Sequence, residues 1–218
     1  MKKVLLIIIV LFLTGCNYYN IQVSNFSSYI IFIDPGHGGK DNGTSYNDIF
    51  EDDLNLKLST ILYEKLLNDN IISYISRVSD YDLSSQYAKN HKIEDLNKRI
   101  KYIESLNTTL FVSLHLNYYP NSNVNGLQVF YQKHNLESEK LAEIIQNKLN
   151  VENLKDKKHK IGDYYLLNNC KKNGVLIEYG FLSSEYDRNK ILKDSYLNYL
   201  ANLIKESIYE YLNLLETK

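Results

Sequence analysis

Apolar positions follow two alternating rhythms along this chain, and the alternation itself predicts a class of fold. Tyr29-Ile-Ile-Phe-Ile33 is an unbroken β-branched and aromatic run stopped by Asp34-Pro35-Gly36, which reads as a buried strand ending in a turn. The period then changes: Leu54, Leu58, Ile61, Leu62 and Leu66 recur at helical spacing behind the acids Glu51, Asp52 and Asp53, which favour a helix N-terminus. Ile71 to Ile75 returns to a strand pattern, and the polar stretch Ser76 to Asn90 reads as a long surface loop. A helix from about Ile93 to Leu106 and a strand from Thr109 to Leu114 follow.

Further on, Gly126 to Tyr131 alternates as a strand, Leu136 to Leu149 forms an amphipathic helical pattern, and Lys155 to Lys160 is a solvated loop. Strands are expected near Tyr164 to Leu167 and Val175 to Tyr179, then helix from Ser184 to Leu215 with a break near Asp194. Strands alternating with helices imply one α/β domain: a mostly parallel, twisted sheet of about six strands with helices on both faces. No internal repeat and no second domain is visible.

The first residues stand apart from this pattern. Lys2 and Lys3 precede an uncharged run from Val4 to Leu13, about ten residues and so short of the roughly 20 that span a bilayer. A cleaved secretory signal over residues 1–16 is therefore expected, with residues 17–28 as a polar tether and 29–218 as the catalytic domain. Leu13-Thr14-Gly15-Cys16 resembles the lipobox of bacterial lipoproteins, in which the Cys thiol carries the lipid. That places the domain outside the cell, lipid-anchored through Cys16 to the outer face of the cytoplasmic membrane. An ordinary signal peptide beside a Cys is the plainer alternative.

The remaining composition mainly excludes. Cys170 is the other cysteine, so the mature domain has no pair for an internal disulfide and is held by packing. Without Lys2 and Lys3, 23 basic residues face 26 acidic ones, a charge of -3. No basic stripe offers a footprint for nucleic acid.

Three residues of metal-ligand type lie at or just past predicted element boundaries: His37 after Asp34-Pro35-Gly36, Glu51 opening a helix, and His115 after Phe111-Val112-Ser113-Leu114. Two histidines and a carboxylate are a familiar open zinc set. Each alone has a bland reading, since histidines often sit at strand ends and an acid at a helix start is a dipole partner. Glu178 adds weight, because it lies inside the strand pattern Gly174-Val-Leu-Ile-Glu-Tyr-Gly180, where an unpaired carboxylate is costly to bury. It needs a metal, a cation such as Arg77 or Arg99, or a shifted pKa.

Taken together, these segments resemble the zinc-dependent type 3 class of N-acetylmuramoyl-L-alanine amidases. The resemblance runs from about Ile31 to Leu215. It is carried by Ile33-Asp34-Pro35-Gly36-His37-Gly38-Gly39, Glu51-Asp52-Asp53-Leu54-Asn55-Leu56, Ser76-Arg77 with Asp80, Leu96 with Arg99, Phe111-Val112-Ser113-Leu114-His115-Leu116-Asn117, Gly126-Leu-Gln-Val-Phe-Tyr131 and Val175-Leu-Ile-Glu178-Tyr-Gly180-Phe-Leu-Ser183. Departures are small: Asn173-Gly174 where the family usually has a Pro before its last strand, Ser184 for a common Asn, and Lys160 near a position often held by Arg.

The resemblance implies one zinc ion held by His37, Glu51 and His115, with Glu178 as the catalytic carboxylate. It also implies hydrolysis of the amide between the lactyl group of N-acetylmuramic acid and L-alanine in peptidoglycan. Asn117, Arg77 and Arg99 are candidate substrate contacts, with structural ion pairs as the alternative for the arginines, and Asp34 is a candidate to orient His37. A short single-domain form is similar to the spore-cortex amidases of sporulation, and many members of the class answer to an activator protein, for which Ser76 to Asn90 is the region to inspect. Two other readings stay open: a non-catalytic peptidoglycan-binding lipoprotein, and a zinc hydrolase cutting within the peptide stem.

Overall fold

The computed structural model describes Phe26 and residues 28–217. The expected signal segment, Cys16 and most of the expected tether lie outside the described residues. Among the described residues no helix is long and apolar enough to cross a membrane.

Six strands form the main sheet: β1 (Ile30–Pro35), β4 (Ile72–Ile75), β5 (Leu110–Asn117), β6 (Gln128–Tyr131), β7 (Lys160–Ile161) and β8 (Gly174–Phe181), in the order β4-β1-β5-β8-β6-β7. Strands β4, β1, β5 and β8 run parallel, while β6 is antiparallel to β8. A two-stranded hairpin, β2 (Ser45–Tyr46) with β3 (Ile49–Phe50), precedes α1 (Glu51–Asn68). The other helices are α2 (His91–Ser105), α3 (Leu136–Leu149), α4 (Tyr165–Asn169), α5 (Glu185–Ile191) and α6 (Asp194–Glu216). The single α/β domain, the six-stranded mostly parallel sheet and the helix break before Asp194 agree with the sequence pattern.

One expected strand does not form. Residues 165–167 lie in the short helix α4, and the edge strand is instead β7, Lys160–Ile161, at the end of the stretch expected to be a loop, pairing with Phe130 and Tyr131. The apolar run at 164–167 has β-type composition, but Leu166 and Leu167 bury against the sheet from a helical turn, with Asn168 N–H donating to the Tyr164 carbonyl. Tertiary burial overrides local propensity there.

The two faces of the sheet are unequal, and the inequality positions the site. Alternate residues of the central strands point to opposite faces. Ile31 and Ile33, Val112 and Leu114, and Val175 and Ile177 join the larger core under α1, α3 and α6, where Leu58, Leu62, Ile145 and Ile204 are fully buried. Phe32, Phe111 and Leu176 join a smaller core covered by α2 and α4 through Ile100, Ile103, Leu166 and Leu167. Two residues further along each of those strands this second face turns polar, with Asp34 on β1, Ser113 and then His115 on β5, and Glu178 on β8. The polar step lies at the carboxyl ends of the parallel strands, where open α/β sheets place their ligand crevices.

Candidate active site

The loop after β1 is built around His37, whose backbone takes φ +61 in the left-handed region. Arginines hold that loop from beneath. Arg99 donates to the carbonyls of Pro35 (2.7 Å) and His37 (2.6 Å), and pairs with Asp34 (2.7 Å) and Asp95 (2.8 Å). Arg77 donates to the carbonyls of Gly36 (3.1 Å) and Asp52 (2.7 Å) as well as Pro35 and Ser79. Each arginine is 1% exposed. The guanidinium groups are thus engaged by backbone carbonyls and, for Arg99, by buried acids, the structural alternative the sequence offered, while Arg99 also borders the cavity lined by His37.

Asp34 belongs to the same brace. Its oxygens accept from Ser76 (2.7 Å), Arg99 and Ser113 (2.7 Å), so it does not meet the His37 ring as the sequence suggested. The carboxylate that does is Asp41, with Oδ2 3.0 Å from His37 Nδ1.

The start of α1 is fastened to this loop. Phe50 offers no side-chain cap, so the unpaired N–H groups of the first turn seek other partners. Glu51 N–H donates to Thr44 O (3.0 Å) and Asp52 N–H to Asn42 O (3.3 Å). That pairing carries the buried Glu51 side chain to the end of β5. Its Oε1 accepts from Leu116 N–H (2.9 Å) and lies 3.2 Å from both His37 Nε2 and His115 Nδ1, while Oε2 accepts from Thr44 N–H (2.8 Å).

His37, Glu51 and His115 therefore form a group able to hold a metal ion, with one ligand atom from each inside 4.8 Å of the others. The imidazole rings meet edge to face at 4.9 Å. Gly36 makes room for one of them, since a Cβ there would overlap the His115 ring. Burial opposes charge on both His37 and Glu51, yet mutual pairing prevails: Asp41 and Glu51 raise His37 to about 9, and the two histidines hold Glu51 below the usual carboxylate range.

Glu178 stands beside His115 in register on the neighbouring strand. It is 6% exposed; Oε1 accepts from the Tyr164 hydroxyl (3.1 Å), and Oε2 is buried with no hydrogen-bond partner. Burial pushes its carboxyl up to about 7, with the Glu51 charge adding to the effect and His115 opposing it. All four side chains line one cavity of about 310 Å3, to which Tyr164, Tyr165, Leu166 and Arg99 also contribute. Asn117, the other candidate contact, ends β5 half-buried, and its side-chain oxygen accepts from Tyr118 N–H (2.8 Å).

The family model for N-acetylmuramoyl-L-alanine amidase matches residues 31–210, which includes every one of these residues. The chain belongs to this family. It is similar to the germination-specific N-acetylmuramoyl-L-alanine amidase of Bacillus subtilis, at 36% identity over 190 residues, covering 85% of this chain and 80% of that relative. The N-acetylmuramoyl-L-alanine amidase LytC of Bacillus subtilis is 30% identical over 83% of this chain, which spans only 35% of that relative. Among solved structures, the CwlD amidase from Clostridioides difficile in complex with the GerS lipoprotein superimposes with a TM-score of 0.81 at 31% identity. That match covers 85% of this chain and 99% of the other.

Two residues of this amidase site escaped the sequence reading. Asp41 sits in a Gly-rich turn with no periodic pattern to mark it, although a carboxylate four residues after a candidate ligand histidine was the available clue. Tyr164 opens an apolar run of strand-type composition, which gives its hydroxyl no direction.

Proposed function

We propose that this amidase hydrolyses the amide joining the lactyl group of N-acetylmuramic acid to L-alanine, using one zinc ion held by His37, Glu51 and His115, with Glu178 as the proton-transferring carboxylate. The donor set fits the metal, since two imidazoles and a carboxylate are a known catalytic zinc set that leaves a position open. Bound zinc supplies Lewis acidity and a water that is acidic near neutral pH. The single observation that carries the assignment is Glu178: a buried carboxylate on the cleft wall, one oxygen fixed by Tyr164 and the other unpartnered. In this role Oε2 accepts a proton from the attacking water and later returns it to the departing L-alanine amine. A buried carboxyl with one oxygen held by Tyr164 and the other free can serve both halves of that transfer.

The setting is read from the relatives. Similarity to a germination-specific amidase supports action on spore-cortex peptidoglycan, and the CwlD neighbour's complex with a lipoprotein supports a protein partner for this chain as well. Export and lipid anchoring at Cys16 rest on the N-terminal sequence.

The test is product analysis. Purified protein is incubated with vegetative and with cortex peptidoglycan, after metal chelation and after zinc is restored, and the products are read by mass spectrometry. New L-alanine amino termini that appear only with zinc support the proposal. Termini at another stem residue would make the protein a peptidase, and zinc-independent release would remove the metal from the account.

A further inference from the structure

We propose that Asp41 is the positioning residue of the metal centre: it holds His37 in the tautomer that leaves Nε2 free to ligate. This rests on the metal reading given above.

The turn that carries Asp41 is constructed for that contact. Gly38 and Asp41 exchange backbone hydrogen bonds, Gly38 N–H to Asp41 O (2.9 Å) and Asp41 N–H to Gly38 O (3.2 Å), so the chain folds straight back over His37. Gly38 (φ +124) and Gly39 (φ +62) supply backbone angles that side chains disfavour, and a Cβ at Gly38 would meet the Tyr81 carbonyl. Asp41 then divides its oxygens. Oδ1 accepts from Gly43 N–H (3.1 Å), which fixes the carboxylate plane, and Oδ2 faces His37 Nδ1 at 3.0 Å. Lys92 Nζ is 3.8 Å from Oδ2 on an exposed side chain and adds little.

The other ring nitrogen, Nε2, is directed toward Glu51 Oε1 at 3.2 Å. One ring thus has one nitrogen on a fixed acceptor and the other among the metal-type donors. A ligand imidazole needs such an acceptor, because the proton on one nitrogen decides which nitrogen keeps the lone pair, and loss of the acceptor typically costs about 10- to 100-fold in metal affinity. The backbone at His37, already fixed by Arg99, sets where the ring stands; Asp41 sets which way its lone pair points.

The test compares the full chain, metal-stripped, as wild type, Asp41→Ala and Asp41→Asn. Zinc is titrated against a competing chromophoric chelator, and histidine side-chain nitrogens are read by NMR in the zinc-loaded protein. Asp41→Ala is expected to raise the zinc dissociation constant about 10- to 100-fold. Asp41→Asn offers one oxygen to two N–H donors and is expected to weaken binding by less; it also serves if the alanine variant does not fold. In the wild type, the His37 proton is expected on Nδ1 in slow exchange, and in the variants that signal is lost. Wild-type zinc affinity in a folded variant, or a wild-type His37 ligating through Nδ1, would overturn the role of Asp41. A wild type that binds no zinc would refute the metal reading itself.

Discussion

Replacing Arg99 by Ala separates a brace from a substrate contact. The guanidinium is 1% exposed and pairs with Asp34, itself 1% exposed, and with Asp95, 8% exposed. Burial lowers the tendency of Arg99 to be charged, but the two carboxylates overcome this and hold it above its ordinary pKa. Removing one partner from such a group leaves uncompensated buried charge, a loss of about 3–5 kcal/mol. The remaining donors, Ser76 and Ser113 on Asp34 and Leu83 N–H on Asp95, argue for the lower end, about 3 kcal/mol. For a domain of this size that is a drop in Tm of about 6–12 °C.

Equilibrium urea unfolding near pH 7 measures it directly. The pH dependence carries a sign as well. Burial acts to raise Asp34, but Arg99 and the serine hydroxyls bring it below the ordinary aspartate value, so in the wild type its contribution is present above that value and lost as pH falls. In Arg99→Ala burial faces less opposition, the carboxyl takes up a proton more readily, and the deficit relative to wild type shrinks toward pH 4. A loss under about 1 kcal/mol, accompanied by a several-fold rise in KM, would refute the brace and restore Arg99 as a substrate contact.

Other outcomes follow from the same geometry. Gly36→Ala places a Cβ inside the His115 ring, so that ring must move, and zinc affinity in chelator competition is expected to fall at least about 10-fold while the chain still folds. Because Asp41 and Glu51 raise His37 to about 9 in the metal-free protein, zinc loading at pH 7.5 is expected to release at least about one proton, from His37 and in part from the metal-bound water, read as a buffer-dependent calorimetric enthalpy. The same raised value adds stability to the metal-free protein below pH 6.5, which is lost as pH climbs through 9. Tyr164→Phe removes the hydroxyl that donates to Glu178 Oε1; kcat is expected to drop about 10-fold with KM little changed, and the acid limb of the pH profile to move upward.

The parts of the fold that were readable share a physical cause. Strands covered on both faces, such as Ile31 to Ile33 and Val175 to Ile177, must be apolar at every position, so they stand out as continuous runs. The helix Leu136–Leu149 meets one core and keeps a clean stripe. His37, Glu51 and His115 were legible as residue types at element ends, and Glu178 as a carboxylate within a strand pattern. Their convergence was not, because it depends on the carbonyls of Asn42 and Thr44 receiving the first turn of α1, a backbone pairing that leaves no trace in side-chain pattern.

What the pattern did not show also has particular causes. Lys160–Ile161 is an exposed two-residue edge strand with nothing to bury, while the neighbouring apolar run spends its side chains on the smaller core from a helix. Arg77 and Arg99 suit either a ligand contact or a structural pair by residue type, and their burial against carbonyls of the His37 loop speaks for bracing. Asp41 gave no periodic signal because its work is done within a four-residue turn.

The central claim is that Glu178 moves the proton at a zinc site made by His37, Glu51 and His115. The most direct measurement is single-turnover release of L-alanine-terminated peptides by wild type and Glu178→Gln, each with zinc content determined on the same sample. Both are expected to bind one equivalent of zinc, with the variant slower by at least about 100-fold. A zinc-loaded Glu178→Gln that cleaves at the wild-type rate would contradict it.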